Sequence, residues 1–127
     1  MRLNPLAPHV FKLAPKNSEG NWSETVLYGF RGKADGAQPN AGVVLDGSGN
    51  LYGTTSSGGF EERGVVFKLA PESGGRWTYS KPHLFWGTPS QYPLDSLVLD
   101  SAGNLYGTTY DCGPFVECYG SVFEISP

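Results

Sequence analysis

The chain has 127 residues, enough for one ordinary domain with a modest core. Apolar residues make up 39% of a composition typical of soluble proteins, and no apolar run approaches the ~20 residues of a membrane-spanning helix. The net charge of −3 is mild and the nine basic residues are spread along the chain, which excludes a nucleic-acid surface and a polybasic membrane anchor.

Gly (18) and Pro (10) are abundant while charged residues reach only 17%, and no stretch holds a 3.6-residue apolar period beyond two turns. Many turn formers and aromatics with few charges predict an all-β protein with short strands. The opening MRLNPLAPHVFKLAP has one early Arg but two prolines where a signal peptide needs an unbroken apolar core, so no export signal is expected in it.

In chain order, strands are predicted at 9–13, 22–30, 42–46, 51–55, 64–69, 77–85, 96–99, 104–109 and 120–125. GVVLD (42–46) is an apolar run that ends in the tight reversal GSGN. Asp46 suits the turn start because its carboxylate reaches backbone amides, and Gly49 supplies a positive φ before Asn50. LYGTT (51–55) returns, GVVFKL (64–69) follows a loop at Gly58-Gly59, and WTYSKPHLF (77–85) closes the unit. Pro82 marks that last strand as an edge. Apolar residues on both faces of the first and third strands predict sheets stacked face to face.

The same segments recur. VFKLAP at 10–15 returns at 66–71 and as VFEISP at 122–127, and GNLYGTT stands at both 49–55 and 103–109. Trp22 answers to Trp77, Phe30 to Phe85, Pro39 to Pro93, and VVLDGSGN (43–50) to LVLDSAGN (97–104), so Asp100, Gly103 and Asn104 repeat the turn of Asp46, Gly49 and Asn50. Anchors kept in one order at shifts of 54 to 56 residues make a tandem repeat, and such a period implies a propeller, solenoid or array. Four antiparallel strands per unit is the make-up of one propeller blade. The expected architecture is therefore β-propeller-type: a partial blade at 9–30, a complete one at 42–85 and a three-stranded one at 96–125.

The pattern LDGSGNLYGTT…GG…GVVFKL…W…F…P resembles the GloVer-type tandem repeat over about residues 9–127, and is more distantly similar to NHL and SMP-30-like blades. The resemblance implies a propeller of many such units, in bacterial surface or exported proteins, and brings no catalytic residues. The Asp35-Gly36 loop of the first unit has no counterpart in the second. Nine strands fall short of the about four blades of a closed propeller. Three readings follow: a piece of a longer repeat protein, a ring of copies in which strand 22–30 completes the last blade, or a two-sheet sandwich. Gly53 and Gly107, inside strands, are expected where backbone approaches closely near a central axis.

No G-x-S-x-G, H-E-x-x-H or P-loop pattern is present, and His9 and His83 lack ligand-spaced neighbours, which assigns both to packing or solvent. DGSGN lacks the further oxygen ligands of a calcium loop, leaving Asp46 and Asp100 as turn residues. Glu61-Glu62 reads as solvated surface. Asn21 opens the sequon NWS, which matters only in a secreted eukaryotic chain. Cys112 and Cys118 bracket a loop two residues longer than its first copy and are expected to form a disulfide, in keeping with an oxidising compartment; free thiols are the alternative. The recurring aromatics Trp22, Trp77, Tyr28, Phe30, Phe85, Tyr52 and Tyr106 are expected in the core. The non-repeating Phe60, Trp86, Tyr92, Tyr110, Phe115 and Tyr119 are the candidate ligand contacts on loops, for a sugar or a protein partner. The expected function is a non-enzymatic scaffold or binding module, without cofactor, that meets further repeats or copies of itself. The alternative is an SMP-30-like metal-dependent lactonase or hydrolase.

Overall fold

Each repeated apolar segment becomes a strand, and each Asp-x-x-Gly-Asn becomes the turn between two of them. The computed structural model describes residues 7–86, 90–111, 117 and 119–127. Within these the fold is all-β: ten strands, every pairing antiparallel, and one short 3₁₀ turn at Ser73–Gly75. Strands β1 (His9–Pro15) and β2 (Trp22–Gly29) form a hairpin. Strands β3 (Val44–Leu45), β4 (Leu51–Thr55), β5 (Val65–Pro71) and β6 (Trp77–Leu84) form a four-stranded sheet in chain order. In the last sheet β9 (Leu105–Asp111) lies centrally, with β10 (Ser121–Ile125) on one side. On its other side β9 pairs β8 (Val98–Leu99) and then β7 (Gln91–Pro93).

β7 departs from the nine expected strands. It is three residues long, Tyr92 has a positive φ of 57°, and Pro93 has no amide to donate, so no alternating pattern announces it. The first unit holds its counterpart as a single bridge, Ala37 to Ser57, 54 residues before Gln91 to Asp111. The predicted strand 96–99 shrinks to Val98–Leu99 for the same reason: the chain reaches β9 in two short pieces.

Pro82 lies in edge strand β6, where its missing amide costs no ladder bond. The ladder steps from Val66–His83 to Lys68–Ser80, so Lys81 and Pro82 together face Phe67 in a bulge. The hairpin slips at the matching place, between Val10–Tyr28 and Phe11–Val26, leaving Leu27 as the extra residue.

Strand β5 is buried on both faces, because its sheet is the middle of three layers. Val65, Phe67 and Leu69 pack against Val10 and Phe30 of the hairpin. Val66 and Phe85 turn the other way and pack on Leu97, Leu105, Phe123 and Ile125 of the last sheet. The layers thus number three, so a two-sheet sandwich does not describe the chain. A fully buried side chain such as Phe67 contributes roughly 1.5–3 kcal/mol.

Gly53 and Gly107 do mark close approach, but to a ring and not to a central axis. Gly53 is paired with Phe67 and Gly107 with Phe123, and each ring lies over the glycine opposite. Among the recurring aromatics Trp22 is an exception to the expected core: it is 59% exposed, whereas Trp77 packs at the edge of the first cluster. Trp22 opens the β2 strand of an outer layer, and among the described residues no further sheet covers that side of the hairpin.

Candidate functional site

Antiparallel strands in chain order bring alternate connections to the same end. One end carries the tight turns at 46–50 and 100–104. Both turns are closed by one device. Asp46 Oδ1 accepts from the amides of Ser48 and Asn50, each at 2.9 Å, and its Oδ2 accepts from Asn50 Nδ2 at 2.8 Å and the Tyr52 hydroxyl at 3.1 Å. Asp100 accepts from Ala102, Asn104 and Tyr106 in the same arrangement, at 2.9, 2.9, 2.8 and 3.0 Å. Gly49 and Gly103 follow with φ of 86° and 89°, a region that suits glycine. The amide of the Asn, first of all, holds each carboxyl below its ordinary value of 3.8. Tyr52 and Tyr106 therefore serve the turn through their hydroxyls. The spacing Asp-x₅-Tyr, present in both copies, is the signal that could have shown it.

The other end gathers the long connections, 30–43, 56–64 and 85–97. They interlock through backbone bonds: Gly59 N donates to Lys33 O at 2.8 Å, Ala37 N to Ser57 O at 2.8 Å and Tyr92 N to Arg63 O at 2.9 Å. Asp35 fastens the first of these loops. Its Oδ2 accepts from the Tyr28 hydroxyl at 2.8 Å and the Arg31 amide at 2.9 Å, while its carbonyl accepts from Tyr79. Burial, then the bond to Asp35, pushes the Tyr28 phenol up to about 12, and burial raises Tyr79 as well.

The candidate aromatics fall out as follows. Phe60 and Trp86 meet at this end, with ring centroids 5.6 Å apart, and remain 72% and 61% exposed. Tyr92 accepts from Arg63 Nη1 at 2.7 Å, and the guanidinium carbon lies 5.5 Å from its ring centroid. Both pairs join the same two connections. Tyr110 is exposed on β9 rather than on a loop, and Tyr119 is fully exposed. Phe115, Cys112 and Cys118 lie outside the described residues.

Sequence reasoning missed Arg63 and Gln91, neither of which recurs. Gln91 is 1% exposed and donates to Asp111 at 2.9 Å; among the described residues its Oε1 has no hydrogen-bond partner. His83 packs edge-on against Phe85, and desolvation lowers its pKa. His9 bonds to the Ala7 carbonyl and to Glu24. Among the described residues no three His, Cys, Asp or Glu side chains converge to hold a metal ion, and no helix is long and apolar enough to cross a membrane.

Stacked antiparallel sheets, built from a unit of 54 to 56 residues, define an all-β tandem-repeat protein. The model of the Gloeobacter/Verrucomicrobia repeat family matches residues 7–127, and the chain belongs to that family. No curated protein and no solved structure matches it.

Proposed function

We propose that the chain is a non-enzymatic repeat scaffold whose loop end binds carbohydrate, with the three sheets as successive β-propeller-type blades. Three observations support the blade reading: sheets that follow one another in chain order, a middle sheet whose four strands pair in sequence order, and turns whose hydrogen-bond lengths repeat to within 0.1 Å. The distant NHL and SMP-30 likeness belongs to the same reading. So does a surface or exported setting, which rests on Cys112 and Cys118 in the longer loop copy.

The exposed Phe60–Trp86 pair carries the binding part. Two tilted rings held in water offer apolar faces to the C–H face of a sugar, and Arg63, on the same connection as Phe60, offers donors for its hydroxyls. Trp86 does not recur between units, since Arg31 stands at the matching repeat position.

The test titrates soluble glucans and xylans against the 127-residue chain and follows tryptophan fluorescence. Phe60→Ala and Trp86→Ala are expected to weaken binding at least about tenfold, the loss of about 1.4 kcal/mol per ring. Their thermal midpoints stay unchanged, and a chelator has no effect. Full affinity in the double variant, or no binding to any glycan, would remove this reading.

A further inference from the structure

Successive layers of this chain meet by one rule, and that rule is left unsatisfied at both ends. In the first interface the hairpin turns Val10 toward Phe67 and Leu69 of the middle sheet. In the second, the middle sheet turns Val66 toward Phe123 and Ile125 of the last sheet. Val10, Val66 and Val122 are the same repeat position, as are Phe11, Phe67 and Phe123, and Leu13, Leu69 and Ile125. A valine-type face therefore meets a phenylalanine-type face each time.

The two outer layers each present the unmatched half. On the last sheet Val122 is 79% exposed, against 0% for Val66, and Val98, on the same face across β9, is 65% exposed. On the hairpin Phe11 and Leu13 are 51% and 50% exposed, against 1% and 0% for Phe67 and Leu69. These residues have the chemistry of a core and the exposure of a surface.

We propose that the chain associates head to tail: the Val98–Val122 face of one copy covers the Phe11–Leu13 face of the next. This rests on the reading of the sheets as repeated blades. The occupant is a second copy because the missing surface is one the chain itself carries, at its opposite end, and because the contact continues an interface already formed twice within it. Such an interface is heterologous, so it propagates until rotation closes a ring. A symmetric pairing of two Val122 faces would set valine-type against valine-type, which neither internal interface does.

Light scattering on a sizing column reads the outcome directly. The wild-type chain is expected to run at a multiple of its 13.7 kDa mass. Val122→Glu and Phe11→Glu are each expected to run as single chains. An equimolar mixture of the two variants is expected to run at twice the chain mass, since one intact face survives on each partner. Circular dichroism checks that both remain folded. Should Phe11→Glu unfold, Leu13→Gln takes its place in the mixture. A wild-type monomer at the highest soluble concentration overturns the proposal. So does a variant that associates by itself, which marks a symmetric interface. A wild-type monomer that still binds glycan through Phe60 and Trp86 removes this inference alone, whereas an assembled protein that binds none removes only the loop-end reading.

Discussion

Gly53 stands directly opposite Phe67 in the β4–β5 ladder, and a Cβ placed on it would lie 2.5 Å from the ring's Cζ. Phe67 cannot yield. It is 1% exposed, with Phe30 edge-on at 5.2 Å and Tyr79 stacked at 6.3 Å. Gly53→Ala is therefore expected to cost about 1–3 kcal/mol through overpacking, read as a lower urea midpoint. Adding Phe67→Leu should make the pair of changes cheaper than their sum, because the shorter side chain vacates the clash. Additive costs would show that the ring is not what excludes the methyl group. Gly107→Ala meets Phe123 at the same 2.5 Å, but that ring is only half-buried, so a smaller loss is expected.

The two Asp turns set the acid side of the stability curve. Asp46 and Asp100 have carboxyl pKa values held below 3.8 in the fold, foremost by the Asn50 and Asn104 side-chain amides. A depressed folded pKa contributes stability above the unfolded value, and that contribution is lost as pH falls through the folded one. Thermal midpoints of the wild type should thus drop below about pH 4, near the unfolded carboxylate value. The double variant Asp46→Asn with Asp100→Asn should be less stable at neutral pH and show a shallower acid slope. An unchanged slope would mean that other carboxylates govern the acid limb.

How far the fold was legible depends on what repeats. Asp46, Gly49 and Asn50 announced their hairpin because each has a twin 54 residues on, and the double-faced strand 64–69 announced a buried layer. β7 was not legible: Gln91–Pro93 is short, contains a proline and has a positive φ at Tyr92, and its twin is a lone bridge. Gly53 read correctly as a close approach, yet only the register could show that Phe67 was the cause. Of the loop aromatics, type and place were legible, but not partnership. Nothing in the sequence joins Phe60 to Trp86 or Arg63 to Tyr92, since each pair spans two connections whose spacing is set by the sheets.

Repeat-equivalent valines should separate burial from sequence. Val66→Ala removes a side chain with no exposed surface and is expected to cost about 2 kcal/mol in urea denaturation. Val122→Ala, at the same repeat position but 79% exposed, should fall within about 0.5 kcal/mol when measured on dilute single chains. The gap should close as protein concentration rises, because association covers Val122 and adds its burial to stability. A large cost at Val122 in dilute protein would place it in the core of the isolated chain.

The alkaline side is governed by the Asp35 loop anchor. Tyr28 stacks on Tyr79 with centroids 4.4 Å apart, and both hydroxyls donate to Asp35, one to its carboxylate and one to its carbonyl. Burial and the nearby carboxylate make the phenolate costly, which moves Tyr28 from 10.0 up to about 12 and Tyr79 higher still. A raised folded pKa gives stability that is complete below the unfolded value and lost as pH rises through the folded one. Stability should therefore hold to about pH 10 and decline toward pH 12, with Tyr28 ionising late in that window and Tyr79 beyond it. Tyrosinate absorbance measured beside denaturation midpoints tests this. Tyr28→Phe should remove one late-titrating phenol and flatten the decline, at the cost of freeing an Asp35 oxygen and loosening the 31–36 loop. If every tyrosine of the folded chain ionises near pH 10, the part-buried Tyr28–Asp35 anchor does not exist in solution, and the loop end lacks the fastening that its geometry requires.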